Sequence, residues 1–202
     1  MSRARRLVLT ALLTVLLAPH APAGGLGGPA PWRALTPQGT WTPTTPAPPR
    51  ACPALHLPAT WDVRASVLAD VTGDRTPECV LAVWRPWRNW PVARWSAHPT
   101  PITPNRDARG DSAHVAVLRP LPGGRYRELW VGSALHQPVT TLTVRPDGTL
   151  VTLETTYRAG RAAAAHALSE WRWTGFGFRL LRRVPTAARA LTLDPLGRPA
   201  VR

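Results

Sequence analysis

Oxygen-bearing side chains recur at regular spacing in the loop between two apolar runs within residues 68–84. They stand at positions 1, 3, 5 and 9 of this acidic loop and are Asp70, Thr72, Asp74 and Glu78. A hard cation such as calcium takes roughly six to eight oxygen ligands from a curled loop. With the main-chain carbonyl of Thr76 as a further ligand, the spacing predicts a calcium site. The alternative is a metal-free polar turn held by Asx-type hydrogen bonds, in which Arg75 could pair with an aspartate.

A second candidate site follows the acidic loop directly, where tryptophans alternate with arginines. This Arg–Trp surface consists of Trp84, Arg85, Trp87, Arg88, Trp90 and Trp95. Indole faces attract guanidinium groups, and exposed indoles also suit sugar rings, so the surface is a candidate glycan site. The alternative is that these indoles fill the core, because the chain has 10 Trp against only 2 Phe and 1 Met.

Residue types suited to catalysis form no recognisable pattern in this chain. Gly132-Ser133-Ala134 lacks the G-x-S-x-G elbow of a hydrolase, and the histidines lack metal-ligand spacing. Asp107 and Asp111 lie close together on one loop, whereas a glycosidase needs two carboxylates that face each other across a cleft. The sequence therefore predicts no enzymatic activity, with a secreted hydrolase as the weaker alternative.

The N-terminus has the features of a secretion signal. Three arginines precede an apolar run at residues 7–17, and small residues ending at Ala23 fit a cleavage site. The run is too short to span a bilayer as a helix, and no later segment is long and apolar enough to do so. Residues 1–23 are predicted to be a signal peptide, and the mature chain is predicted to be exported to the periplasm, the cell surface or the medium.

The chain has two cysteines, Cys52 and Cys79. In an oxidising compartment such a pair favours a disulfide, which would tie the entry segment to the strand after the acidic loop. The alternative is two buried free thiols.

The formal net charge of +14 would ordinarily suggest an acidic partner. All 25 basic residues are arginines, however, and they are scattered along the chain. Nucleic-acid binding requires a basic stripe on one element, so no nucleic-acid partner is predicted. The partner stays unknown, with a glycan or a protein at the cell envelope as candidates.

Composition and pattern divide the mature chain into two parts. Residues 24–60 are rich in Pro and Thr and are predicted to be a largely disordered linker. In residues 61–202, short apolar runs alternate with turn signals such as Pro146-Asp147-Gly148, which predicts an all-β domain. An ungapped internal repeat at an offset of 52 superposes His114 on His166. It defines units at about 61–133 and 138–185, with a partial third unit at 188–202.

The acidic loop and the strand after it resemble the FG-GAP/VCBS-type repeat of exported bacterial β-propellers. The matching stretch is Asp70-Val-Thr72-Gly-Asp74-Arg-Thr-Pro-Glu78, followed by Val80-Leu-Ala-Val. The resemblance implies four-stranded antiparallel blades and a loop that commonly binds calcium. Arg75 stands where the family usually has glycine, and Asp147-Gly148 is the remnant of a second loop. Because about four blades are needed to close a propeller, we expect an incomplete β-propeller-like fold, open stacked sheets, or a ring completed by self-association.

These features predict an exported, non-enzymatic β-repeat module with a structural or binding role at the cell surface or outside the cell. The alternative function is that of a carbohydrate- or envelope-binding protein that uses the Arg–Trp surface.

Overall fold

The computed structural model describes residues 30–87 and 105–202. Within these ranges the chain is all β and contains no helix, so no described segment is a helix that could cross a membrane. In chain order the strands are β1 (Arg33–Leu35), β2 (Trp41–Pro43), β3 (Asp62–Ala69), β4 (Glu78–Pro86), β5 (Asp111–Pro120), β6 (Tyr126–Val131), β7 (Val139–Val144), β8 (Leu150–Glu154), β9 (Ala165–Trp173), β10 (Phe178–Ala188), β11 (Leu191–Leu193) and β12 (Pro199–Val201).

The strands form three four-stranded antiparallel sheets, none of which closes into a barrel. Sheet I has the order β3-β4-β5-β6, sheet II the order β7-β8-β9-β10, and sheet III the order β11-β12-β1-β2. Sheet I lies within residues 62–131 and sheet II within residues 139–188, and β11 and β12 follow them in the chain. The all-β prediction with four-stranded antiparallel units is therefore confirmed.

Sheet III differs from the expectation of a disordered linker over residues 24–60, because the described part of that range contributes β1 and β2. Ala34 of β1 pairs with Ala200 of β12, and the side chain of Leu35 is only 1% exposed. The composition of a segment reports what the segment can bury by itself. It does not report pairing with a strand more than 150 residues away, which is what orders β1 (Ala34 to Ala200).

The hydrophobic core lies between the sheets, and sheet II is the middle layer. One apolar cluster joins sheets I and II, and a second joins sheets II and III. In agreement with this layering, β7 packs against both β3 and β11. Because β4 is buried on both faces, Val80 and Ala82 point to sheet II while Leu81 and Val83 point away from it. This is the alternation that the apolar run predicts.

The outer face of sheet I is covered by residues 50–61, here called the cover segment. Leu55 and Leu57 pack on that face, and the His56 amide donates a hydrogen bond of 2.8 Å to the Gly124 carbonyl. A disulfide joins Cys52 of the cover segment to Cys79 of β4, with a Cα–Cα distance of 5.6 Å. The predicted disulfide is confirmed, and such a bond is consistent with an oxidising, extracytoplasmic compartment.

Candidate functional site

The acidic loop connects β3 to β4 at one end of sheet I. Two of its residues adopt the left-handed backbone conformation, Gly73 at φ 81° and Arg75 at φ 68°. Glycine tolerates this region, whereas a residue with a Cβ is strained in it. Arg75 thus stands, with a left-handed backbone, where the resembled family has glycine.

The two aspartates of the loop are hydrogen-bonded to its backbone. The Asp70 carboxylate accepts hydrogen bonds from the amides of Gly73 at 2.6 Å and Arg75 at 2.8 Å. The Asp74 carboxylate accepts one from the Thr76 amide at 2.9 Å. These are the Asx-type turns of the metal-free alternative, and they orient carboxylate oxygens toward the loop's own N–H groups.

Glu78 at the start of β4 is fully buried and is paired with Arg119 of β5. One Glu78 oxygen accepts from the Val71 amide at 3.2 Å, and the other accepts from Arg119 Nη2 at 2.6 Å and from the Thr72 hydroxyl at 3.4 Å. Arg119 Nη2 also contacts Asp74 Oδ2 at 2.5 Å. Its hydrogen bond holds the pKa of Asp74 below the usual value, and the bonds to Glu78 and Asp74 raise the pKa of Arg119.

The guanidinium of Arg119 therefore lies between two of the five predicted calcium ligands, as a cation would. Within residues 30–87 and 105–202, no three His, Cys, Asp or Glu side chains are gathered into a metal-binding group. The geometry fits the metal-free alternative better than a calcium cage, and calcium stays a prediction to be tested. In the pairing of β4 with β5, Cys79 lies opposite Leu118, and Arg119 is the next residue after Leu118. The sequence alone does not give this pairing, so it could not identify Arg119 as the partner of Glu78.

Replacing Arg119 with alanine should lower the free energy of unfolding by about 2 kcal/mol, because the buried Glu78 carboxylate loses its charged partner. The figure lies below the range for a fully buried pair because the Arg119 side chain is 24% exposed. Arg179→Ala, at an exposed position on β10, is the matched control and should change little. In a thermal-shift assay, millimolar calcium should raise the Tm of Arg119→Ala and leave the wild type unchanged. A calcium-dependent rise in the wild type would instead support the predicted calcium site.

The acidic loop recurs in reduced form in the other two sheets. In the turn between β7 and β8, Asp147 accepts a hydrogen bond from the Thr149 amide at 3.0 Å. In the turn between β11 and β12, Asp194 accepts from the Arg198 amide and from Arg198 Nε, both at 2.8 Å. Burial acts to raise the pKa of Asp194, but the Arg198 contacts outweigh it and hold that pKa below its usual value.

The three turns lie side by side at the same end of the stacked sheets. A Cβ placed on Gly148 would lie 3.3 Å from the Asp70 carbonyl oxygen, and one on Gly197 would lie 3.0 Å from Pro146 Cδ. Between the acidic loop and the turn at 145–148 is an open cleft of about 510 Å³. Here called the turn cleft, it is lined by backbone from both turns and by Asp70, Arg145, Asp147, Arg172 and Trp173.

The opposite end of sheet I is held by Arg161, which lies in the connection between β8 and β9. Its guanidinium contacts the carboxylates of Asp62 at 2.7 Å, Asp107 at 2.5 Å and Asp111 at 2.8 Å, and it lies 4.6 Å from the centre of the Trp84 ring. Burial acts to raise the pKa of Asp107, but the hydrogen bond and charge of Arg161 together with hydrogen bonds from the Asp111 and Arg109 amides outweigh it, so that pKa is lowered. Asp107 and Asp111 thus share one cation instead of facing each other across a cleft.

The Arg–Trp surface is only partly present as predicted. Trp84 is completely buried, and its indole Nε1 donates to the Val139 carbonyl at 3.1 Å, so this indole belongs to the core alternative. Guanidinium–indole contacts do occur, but with partners from elsewhere. Arg85 lies 5.6 Å from the Trp61 ring, and Arg106 lies 5.3 Å from the Trp87 ring. Arg88, Trp90 and Trp95 lie outside the described residues.

One pair of potentially catalytic side chains was not predicted, a serine and a histidine two residues apart on β5. His114 Nδ1 is 2.8 Å from the Gly132 carbonyl and must donate to it, so Nε2 accepts from the Ser112 hydroxyl at 2.7 Å. Side chains at i and i+2 share a face of a strand, which is the sequence signal for this pair. Ser112 is 0% exposed, and burial lowers the pKa of His114 to about 4, so the pair is a satisfied core contact.

The buried His114 should make stability depend on pH between neutrality and about pH 4.5. The unfolded chain binds a proton near pH 6.5, whereas folded His114 does so only near pH 4, so stability is lost as the pH falls through this window. We expect a loss of about 2 kcal/mol between pH 7 and pH 4.5 in urea unfolding. His114→Gln should be less stable at pH 7 but should show a flatter profile. Equal slopes for the two proteins would contradict the assignment.

The chain matches no protein-family model, and no curated protein shows significant similarity to it. The resemblance to FG-GAP/VCBS-type repeats therefore stays a prediction that depends on the acidic loop and the strand after it.

Proposed function

We propose that this chain is an exported, non-enzymatic β-sheet module that binds a component of the cell envelope, and that its binding position is the turn cleft. The observation that carries the proposal is the cleft itself. It is an open recess lined by Asp70 from the acidic loop of sheet I and by Asp147, Arg172 and Trp173 from sheet II. Recesses with a few convergent polar groups are the usual binding sites of proteins.

The non-enzymatic part of the proposal is supported by how the other ionisable groups are engaged. Asp107 and Asp111 pair with Arg161, and the buried Glu78 pairs with Arg119. Ser112 and His114 hydrogen-bond each other on the face of sheet I that the cover segment covers. A general base must reach the substrate and needs a pKa near the working pH, and these groups are arranged to hold loops and strands together.

Export is supported by the disulfide between Cys52 and Cys79 together with the secretion signal predicted at residues 1–23. The disulfide holds a proline-rich cover that would otherwise be attached to sheet I only by a few apolar side chains and backbone hydrogen bonds. Such a bond persists in an oxidising compartment and is rare in the cytosol.

The proposal is tested by co-sedimentation of the labelled mature chain, residues 24–202, with isolated bacterial envelopes. We expect saturable binding that Arg172→Ala weakens, because Arg172 lines the turn cleft, and that Arg127→Ala leaves unchanged. Absence of envelope binding by the folded wild type would refute the binding role. In a panel of hydrolase substrates, turnover that a single carboxylate substitution abolishes would refute the non-enzymatic role.

The Arg–Trp surface is a second candidate position, favoured by the Trp87–Arg106 contact among the described residues. Trp87→Ala separates the two positions in the same sedimentation assay. Binding that is lost in Trp87→Ala and kept in Arg172→Ala would move the site from the turn cleft to this surface.

A further inference from the structure

The turn cleft is a site formed by two layers of the fold rather than by one loop. Its volume of about 510 Å³ falls within the range of ligand pockets, on the order of 300–1,000 Å³. One wall is the backbone of the acidic loop, and the other is the turn at 145–148 with part of β9. The walls meet where Gly148 approaches the Asp70 carbonyl, so a side chain at that position would push them apart.

The charged groups of the cleft balance each other. The residues that line it include two carboxylates, Asp70 and Asp147, and two guanidinium groups, Arg145 and Arg172. The Asp70 carboxylate accepts hydrogen bonds from its own loop and Arg145 lies 3.8 Å from Glu170, so the exposed pair Asp147 and Arg172 is the pair that a ligand can reach. A multiply charged ligand of either sign would meet like charges, which oppose binding. A neutral ligand would meet no net repulsion and would find both strong hydrogen-bond donors and strong acceptors.

These groups keep hydrogen-bonding capacity for a ligand. Arg172 donates to the Thr149 hydroxyl at 3.2 Å and lies 3.9 Å from Asp147, and the two side chains are 47% and 49% exposed. A guanidinium has five N–H donors and a carboxylate about four acceptor sites, so each has positions to spare. A pair of adjacent hydroxyl groups, each a donor and an acceptor, matches this alternation.

Trp173 supplies the apolar part of the site. Its ring packs edge-to-face against Trp130 at 5.9 Å and against Phe178 at 5.2 Å, which restrains the indole. An indole restrained in this way offers a rigid apolar surface beside polar groups. The C–H face of a sugar ring has the complementary character, since its hydroxyl groups project from the rim of the ring.

From this combination we infer that the turn cleft binds a neutral saccharide. The inference rests on the proposed binding role and adds the ligand class. Asp147 and Arg172 hydrogen-bond the hydroxyl groups, and Trp173 packs against the ring.

The test uses an array of neutral oligosaccharides printed beside sulfated and uronic-acid glycans, followed by calorimetry on the best neutral glycan. Asp147→Asn removes the charge at unchanged side-chain size, Arg172→Gln removes the charge and shortens the side chain, and each should weaken binding about tenfold. Trp173→Phe should weaken it too, with near-ultraviolet circular dichroism confirming that the fold is retained. Arg127→Ala, on β6, changes a residue that does not line the cleft and should bind as the wild type does.

Two outcomes would overturn the inference. The first is higher affinity for anionic than for neutral glycans. The second is envelope binding that survives periodate oxidation of the sugars and is lost after protease treatment, which would identify a protein ligand and leave the proposed function intact. Absence of any envelope binding would remove the proposed function together with the inference, so the two failures are distinguishable.

Discussion

Replacing Arg161 with alanine should lower the free energy of unfolding by about 4 kcal/mol. The Arg161 side chain is 13% exposed and that of Asp107 is 9% exposed, so the substitution leaves a largely buried carboxylate without its partner. It also removes the cation 4.6 Å from the Trp84 ring and the contacts to Asp62 and Asp111. Equilibrium unfolding in urea measures the change.

Two comparisons make the Arg161 prediction specific. Arg158→Ala, an exposed position in the same connection, should stay within about 0.5 kcal/mol of the wild type. The difference between wild type and Arg161→Ala should shrink as the pH falls below about 4. Because the pKa of Asp107 is lower in the folded than in the unfolded protein, ionised Asp107 stabilises the fold at pH values above 3.8. This stabilisation is lost as the pH falls and the carboxylate becomes protonated in the folded state. If Arg161→Ala lowers the free energy of unfolding by less than about 1 kcal/mol at pH 7, the loops at this end of sheet I are held in place without Arg161.

Reducing the disulfide should lower the free energy of unfolding by about 3.5 kcal/mol. The disulfide limits the conformations of the unfolded chain, and the size of this effect follows from the sequence separation of 27 between Cys52 and Cys79. Urea unfolding with and without a phosphine reductant measures it, and mass spectrometry after alkylation verifies that both thiols are free.

The effect of reduction should be concentrated in the cover segment. Hydrogen exchange of the His56 amide, which donates to Gly124, should become faster on reduction, while amides in β8 should change less. The double variant Cys52→Ala/Cys79→Ala is the control, because its stability should not respond to reductant. If reduction leaves both stability and exchange at His56 unchanged, packing alone holds the cover segment.

Much of the fold could be predicted because strands and turns have local signatures. The apolar run at β4 alternates between two buried faces, and Pro146-Asp147-Gly148 forms the hairpin that its residue types favour. Two cysteines in a chain with a secretion signal predicted the disulfide. Strands β11 and β12 lie in the range of the partial third unit, and the completion of their sheet by β1 and β2 was not predicted.

The candidate sites were less predictable, and the tryptophans show why. Residue type alone left open whether Trp84 belongs to an exposed Arg–Trp surface or to a core that is poor in other large residues. In the structure Trp84 belongs to the core, because β5, β7 and the connection that contains Arg161 surround its indole ring. The turn cleft likewise requires two sheets to be stacked before Asp70 and Arg172 line one recess.

The sequence by itself determined what neighbouring residues decide: the strands, the turns, the disulfide pair and the oxygen-rich spacing from Asp70 to Glu78. Only the tertiary structure decided which cation pairs with those oxygens and where a ligand could bind. Arg119 is 41 residues from Glu78, and Arg161 is 99 residues from Asp62. The physical reason is that a charge acts over a few ångströms in space, and contacts between residues so far apart in the chain exist only once the sheets are paired and stacked.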